Sequence, residues 1–133
     1  APFRDTSLIH EKGDWDVCMA TTLGAQILPP KAFNQDIGDW DVSNNRDFNG
    51  MFRNAEAFNQ DLGDWDVSKA VGMHSMFRGS SFDQDIGDWD VSSVTNMAWM
   101  FENADSFNGD ISDWDVSSVT TLVGMFYLAD GFK

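Results

Sequence analysis

Apolar residues return along this chain at a long, fixed interval rather than at the short period of one continuous helix or strand. Trp15, Trp40, Trp65, Trp89 and Trp114 are spaced by 25, 25, 24 and 25 residues, and further apolar columns keep step with them. Ile37, Leu62, Ile86 and Ile111 precede the tryptophans, and Val17, Val42, Val67, Val91 and Val116 follow them. Next come the pairs Met51-Phe52, Met76-Phe77, Met100-Phe101 and Met125-Phe126, then the closing Phe33, Phe58, Phe82, Phe107 and Phe132. One residue is missing after Phe77, which accounts for the single short interval. Self-similarity of this kind marks tandem units, none of which can bury its apolar face alone. The repeating columns are the expected core.

Within a unit the period changes. Asp-Trp-Asp-Val alternates two-fold, which predicts a short strand with Trp and Val inward and both Asp outward. Met97, Met100, Phe101 and Ala104 fall at i, i+3, i+4 and i+7, which predicts one face of a short helix. Ser43, Ser68, Ser92 and Ser117 follow the strand, where a hydroxyl can satisfy turn or helix-start amides. The expected fold is an α/β repeat: a solenoid of about five 25-residue units, with a short-strand parallel ladder and short helical segments. Residues 1–12 read as an N-terminal extension and 13–133 as a single solenoid domain. Its first unit is degenerate, with Lys12 at the Ile position, Gln26-Ile27 for Met-Phe, and Pro29-Pro30, and it reads as a cap.

Charge narrows the partners. With 22 acidic against 8 basic side chains the net charge is −14, which argues against nucleic acid and against an anionic membrane surface. Such a surface attracts cations, basic peptides or a positively charged protein patch. No stretch has the length and apolarity of a spanning helix, and no signal-peptide pattern opens the chain. Cys18 is the only cysteine, so neither a disulfide framework nor a Cys-rich zinc site is expected.

The acids are themselves periodic. Asp14, Asp39, Asp64, Asp88 and Asp113 precede the tryptophans, Asp16, Asp41, Asp66, Asp90 and Asp115 follow them, and Asp36, Asp61, Asp85 and Asp110 lie four residues before. In-register stacking would put like carboxylates ~4.7–4.9 Å apart, repelling by about 0.8 kcal/mol per neighbouring pair in water. Three readings are open: acceptors in tight turns on a solvated face, a site for calcium, or a face for a basic protein. Asp39, Asp41, Asp64, Asp66, Asp88, Asp90, Asp113 and Asp115, together with Trp99, form the candidate binding face, and Asp36, Asp61, Asp85 and Asp110 the candidate metal ligands; no other cofactor is expected. Trp99 occurs outside the Trp column, either as an exposed contact residue or packed against a neighbouring helix. Asn34, Asn59, Asp83 and Asn108 form a further column, expected to be a buried hydrogen-bonded ladder. Catalysis is not expected. Asp-Trp-Asp recurs in every unit, so no unit stands out as the reacting one, and His10 and His74 have neither zinc spacing nor a nucleophile beside them.

The unit Phe-Asn-Gln-Asp-Ile-Gly-Asp-Trp-Asp-Val-Ser-Ser-Val-Thr-Asn-Met, closed by Met-Phe and Ala, resembles the BspA-like leucine-rich-repeat family of mycoplasma lipoproteins and other bacterial and protist surface proteins. The resemblance covers Gly13 to Lys133. It implies a right-handed leucine-rich-repeat-like solenoid, an extracellular or cell-surface setting, and a role in adhesion or protein–protein interaction. It supplies no catalytic residues. The sequence ends at Phe132-Lys133, where another Phe-Asn segment would begin. An open solenoid end exposes core and edge, so an architectural role in a larger assembly through that end is the alternative, beside a calcium-binding acidic surface protein.

Overall fold

The computed structural model describes residues 31–133. The N-terminal extension 1–12, the degenerate first unit with Trp15 and its flanking Asp14 and Asp16, and Cys18 lie outside the described residues. Coils open at Phe33, Phe58, Phe82 and Phe107, and Phe132 stands at the same place after the last of them.

The coils are built of turns. Among the described residues there is no helix, and strand pairing is confined to the isolated parallel bridges Asp47↔Gly72, Gly72↔Asn96 and Asn96↔Thr121. This corrects the expected α/β solenoid in both its elements. Met97, Met100, Phe101 and Ala104 do point inward and are fully buried, but their segment closes by successive i→i+3 turns rather than by helical bonding. The Met100 amide donates to Met97 O, Glu102 to Trp99 O, and Ala104 to Phe101 O, each within 3.0–3.2 Å. Two residues per coil interrupt any helix by taking positive φ: Gly50 and Asn54, Ser75 and Gly79, Trp99 and Asn103, Gly124 and Leu128. Each occupies the third position of its turn, where a type II geometry requires a left-handed residue.

Those reversals aim every second amide along the stack. Phe48, Gly50, Phe52 and Asn54 donate to the carbonyls of Gly72, His74, Met76 and Arg78 in the next coil at 2.7–2.9 Å. Met73, Ser75, Phe77 and Gly79 repeat this onto Asn96, Ala98, Met100 and Glu102, and Met97, Trp99, Phe101 and Asn103 onto Thr121, Val123, Met125 and Tyr127. Backbone groups that a helix would pair internally are thus satisfied by the neighbouring coil.

The predicted strand fails for a related reason. Trp and Val of Asp-Trp-Asp-Val alternate inward as expected, with Trp65 4% and Val67 1% exposed. Between coils, however, this segment is tied by side chains: the indole Nε1 of Trp65, Trp89 and Trp114 donates to the carbonyls of Ile37, Leu62 and Ile86 in the preceding coil at 2.9–3.1 Å. The Trp column is therefore core and staple together.

Phenylalanines fill the centre as two parallel stacks. Phe33, Phe58, Phe82, Phe107 and Phe132 follow one another with centroids 5.6–6.3 Å apart, as do Phe52, Phe77, Phe101 and Phe126 at 5.5–5.6 Å. Contacts of 4.1–4.2 Å join the two stacks, each between the Met-Phe phenylalanine of one coil and the Phe that opens the next. No helix of the described residues is long and apolar enough to cross a membrane.

Ser75 shows the cost of a mismatch in this scheme. It holds φ +57° with its hydroxyl buried and unpaired, where two of the other coils carry Gly50 and Gly124. Ser75→Gly keeps the amide bond to Ala98 and removes both penalties, so chemical denaturation should show a gain of about 1–2 kcal/mol.

Candidate functional site

The aspartate columns part company once folded. Asp36, Asp61, Asp85 and Asp110 each accept the amide of the residue two positions on, Gly38, Gly63, Gly87 and Ser112, at 2.8–3.0 Å. Asp41, Asp66, Asp90 and Asp115 do the same for Ser43, Ser68, Ser92 and Ser117 at 3.0 Å. In the first three of these the serine hydroxyl also donates, at 2.6 Å. Two of the three columns are thus turn acceptors, as one of the sequence readings has it.

Serine sets the charge of the second column. The Ser hydroxyl first, and then its amide, holds Asp41, Asp66, Asp90 and Asp115 below the ordinary carboxyl value, and Ser112 does the same for Asp110. A depressed folded-state pKa contributes stability above the unfolded-state value, and that contribution fades as pH falls through the folded-state value. Ser92→Ala should therefore raise the Asp90 pKa toward 3.8 in a carboxylate NMR titration and start the acid-induced loss of structure at higher pH.

Asp39, Asp64, Asp88 and Asp113 differ: they are exposed and accept no hydrogen bond within the described residues. Asp39, Asp64 and Asp88 share clefts with the column four before the tryptophan. Asp36, Asp39, Asp61 and Asp64 line one cleft of about 200 Å³, and Asp61, Asp64, Asp85 and Asp88 line the next, also about 200 Å³. Glycines hold these clefts close, since a Cβ on Gly38 would lie 2.7 Å from the carbonyl oxygen of Asp61, and one on Gly63 3.1 Å from that of Asp85. Among the described residues no group of three acidic, His or Cys side chains is arranged to hold a metal ion; the role the structure shows for Asp36, Asp61, Asp85 and Asp110 is that of turn acceptors.

The Asn column forms its ladder, but on the surface. The oxygens of Asn34, Asn59, Asp83 and Asn108 accept the amides of Asn59, Asp83, Asn108 and Lys133 at 2.8–3.0 Å, and all four side chains are exposed. Repetition made the ladder legible, whereas its burial was assumed from residue type.

Trp99 is half-buried at φ +59°. Its ring covers Gly124 of the next coil, at which any Cβ would meet it, and Tyr127 meets it edge-on at 6.4 Å. Trp99 thus packs on the next coil, where the expected helix is replaced by turns. On the same side Arg78 pairs with the buried Glu102 at 2.5 Å, a contact with no repeating signature in the sequence.

Exposure of the repeat columns is higher in the last described coil. Val116 is 40% and Leu122 48% exposed, whereas Val42, Val67 and Val91 are 1% exposed and Phe48, Met73 and Met97 fully buried at the same positions. Ile111 and Phe126 are likewise only partly covered. Beyond them Val123, Tyr127 and Leu128 are more than half exposed.

A family model described as "Mycoplasma protein of unknown function, DUF285" matches residues 3–84 and 73–133. No curated protein and no solved structure matches the chain.

Proposed function

The chain belongs to that DUF285 family, and from this premise and the geometry above we propose that it is a non-enzymatic protein-interaction or adhesion module whose acidic edge receives a basic partner. The carrying observation is the column Asp39, Asp64, Asp88 and Asp113, exposed in every coil and free of turn duty. These carboxylates keep their full capacity for charge-assisted bonds to Lys or Arg, and the net charge of −14 steers such a partner toward them. Because each coil repeats the same acids, the edge serves an extended partner better than a single reacting group. Cell-surface adhesion is the setting that the resemblance to BspA-like repeats implies.

Poly-L-lysine, with poly-L-glutamate as control, is the probe. Replacing Asp39, Asp64, Asp88 and Asp113 together by Asn should weaken poly-L-lysine binding far more than replacing Asp41, Asp66, Asp90 and Asp115, and should flatten its salt dependence. Equal weakening by the two sets would contradict the edge. Cations act on this edge by screening, so calcium and magnesium at matched ionic strength should raise the melting temperature equally.

A further inference from the structure

We infer that Asn108 is a self-modification site, at which the folded chain converts an asparagine to an acid while sparing its twin at Asn49. Asn-Gly occurs twice in the sequence, as Asn49-Gly50 and Asn108-Gly109, each time directly after a phenylalanine. The dipeptide is reactive because glycine carries no Cβ to shield its amide nitrogen from the side-chain carbonyl of the residue before it. In the reaction the Gly nitrogen bonds to Asn Cγ and gives up its proton, the Cγ–Nδ2 bond breaks, and ammonia leaves with that proton. Water then opens the five-membered imide at either of its carbonyls, which gives aspartate or isoaspartate.

Folding separates the twins at the nucleophile. Gly50 holds φ +66° and its amide donates to His74 O at 2.8 Å, one of the coil-to-coil bonds. Attack by that nitrogen requires the bond to open first. The Asn49 side chain is held as well: its Oδ1 accepts the His74 amide at 2.7 Å, and it lies against Gly72. The Gly109 amide, by contrast, donates no hydrogen bond within the described residues, and neither do the Gln60 and Gln84 amides at the same place in the two preceding coils. Both of those coils are followed by another, so the free amide belongs to the position. Gln60 and Gln84 fill it with a side chain that reaches back to Asn34 and Asn59, whereas Gly109 leaves it bare. Asn108 Oδ1 accepts the Lys133 amide at 2.8 Å, which draws charge toward the oxygen and leaves Cγ open to attack. The product fits too. Asp83 stands at the Asn108 position one coil earlier and accepts the Asn108 amide at 3.0 Å, so an aspartate at 108 keeps the ladder and adds one negative charge to this exposed column.

Peptide mapping by mass spectrometry of the folded chain, kept at mildly alkaline pH where the Gly nitrogen gives up its proton more readily, tests this. Asn108 should take on the mass of the acid at least about tenfold faster than Asn49. In urea, where the coil-to-coil bonds are gone, the two should convert at similar rates. Gly109→Gln, which supplies the residue of the preceding coils, should slow conversion at 108 by about tenfold or more and leave Asn49 unchanged. Equal rates at the two sites of the folded chain would overturn the proposal, as would a folded chain that converts at neither site while its urea-unfolded form converts at both. Conversion at Asn49 ahead of Asn108 would overturn it too, and with it the protection assigned to the Gly50 amide.

Discussion

Phe77→Ala is expected to cost about 3–5 kcal/mol, the range for truncating a fully buried aromatic. Phe77 touches Phe52 and Phe101 in the coils on either side at 5.6 Å, Phe82 in the adjoining stack at 4.2 Å, and Trp89 at 6.3 Å. Few routes exist for the site to collapse, because each neighbour is itself pinned by the next ring or, for Trp89, by its bond to Leu62 O. Urea denaturation followed by tryptophan emission should show the loss as a shift in midpoint at unchanged slope. A loss under about 1 kcal/mol would mean that the stacks are not the support described here.

Arg78→Ala should be the next largest effect, about 3 kcal/mol. The Arg78 guanidinium meets the Glu102 carboxylate at 2.5 Å, with the Glu102 side chain 9% exposed and that of Arg78 34%. Removing the cation leaves a carboxylate with little water and no counter-charge, which costs more than the pair itself contributes. Arg78→Ala combined with Glu102→Gln should recover most of the loss, since a neutral amide needs no counter-ion. A double-mutant cycle reads the coupling directly. Without recovery, the effect would have to be assigned to packing of the arginine stem.

The core was legible in the sequence because repetition makes it so: every Trp, Ile, Val, Met and Phe column of the described inner coils is buried. The elements were not. Inward residues at i, i+3, i+4 and i+7 are as compatible with linked turns as with a helix, and the deciding signal was the left-handed positions. Gly50 and Asn54 carry that signal plainly, being residues that take positive φ at little cost. Ser75, Trp99 and Leu128 fill the same columns in other coils and conceal it. The parallel bridges fall on Asp47, Gly72, Asn96 and Thr121, four unlike residues with no common signature.

Strand alternation places both Trp neighbours on one side, so the sequence alone predicts one sheet of carboxylates. In the fold the acids before the tryptophan share clefts with Asp36, Asp61 and Asp85, and those after it turn toward their own serines.

Amide hydrogen exchange by NMR tests the central claim most directly: turn-built coils close one another through alternate amides. Met97, Trp99, Phe101 and Asn103 donate to the following coil and should exchange only through global opening. Rapid exchange of these four amides, with protection kept at Met100, Glu102 and Ala104, would contradict the coil-to-coil bonding pattern.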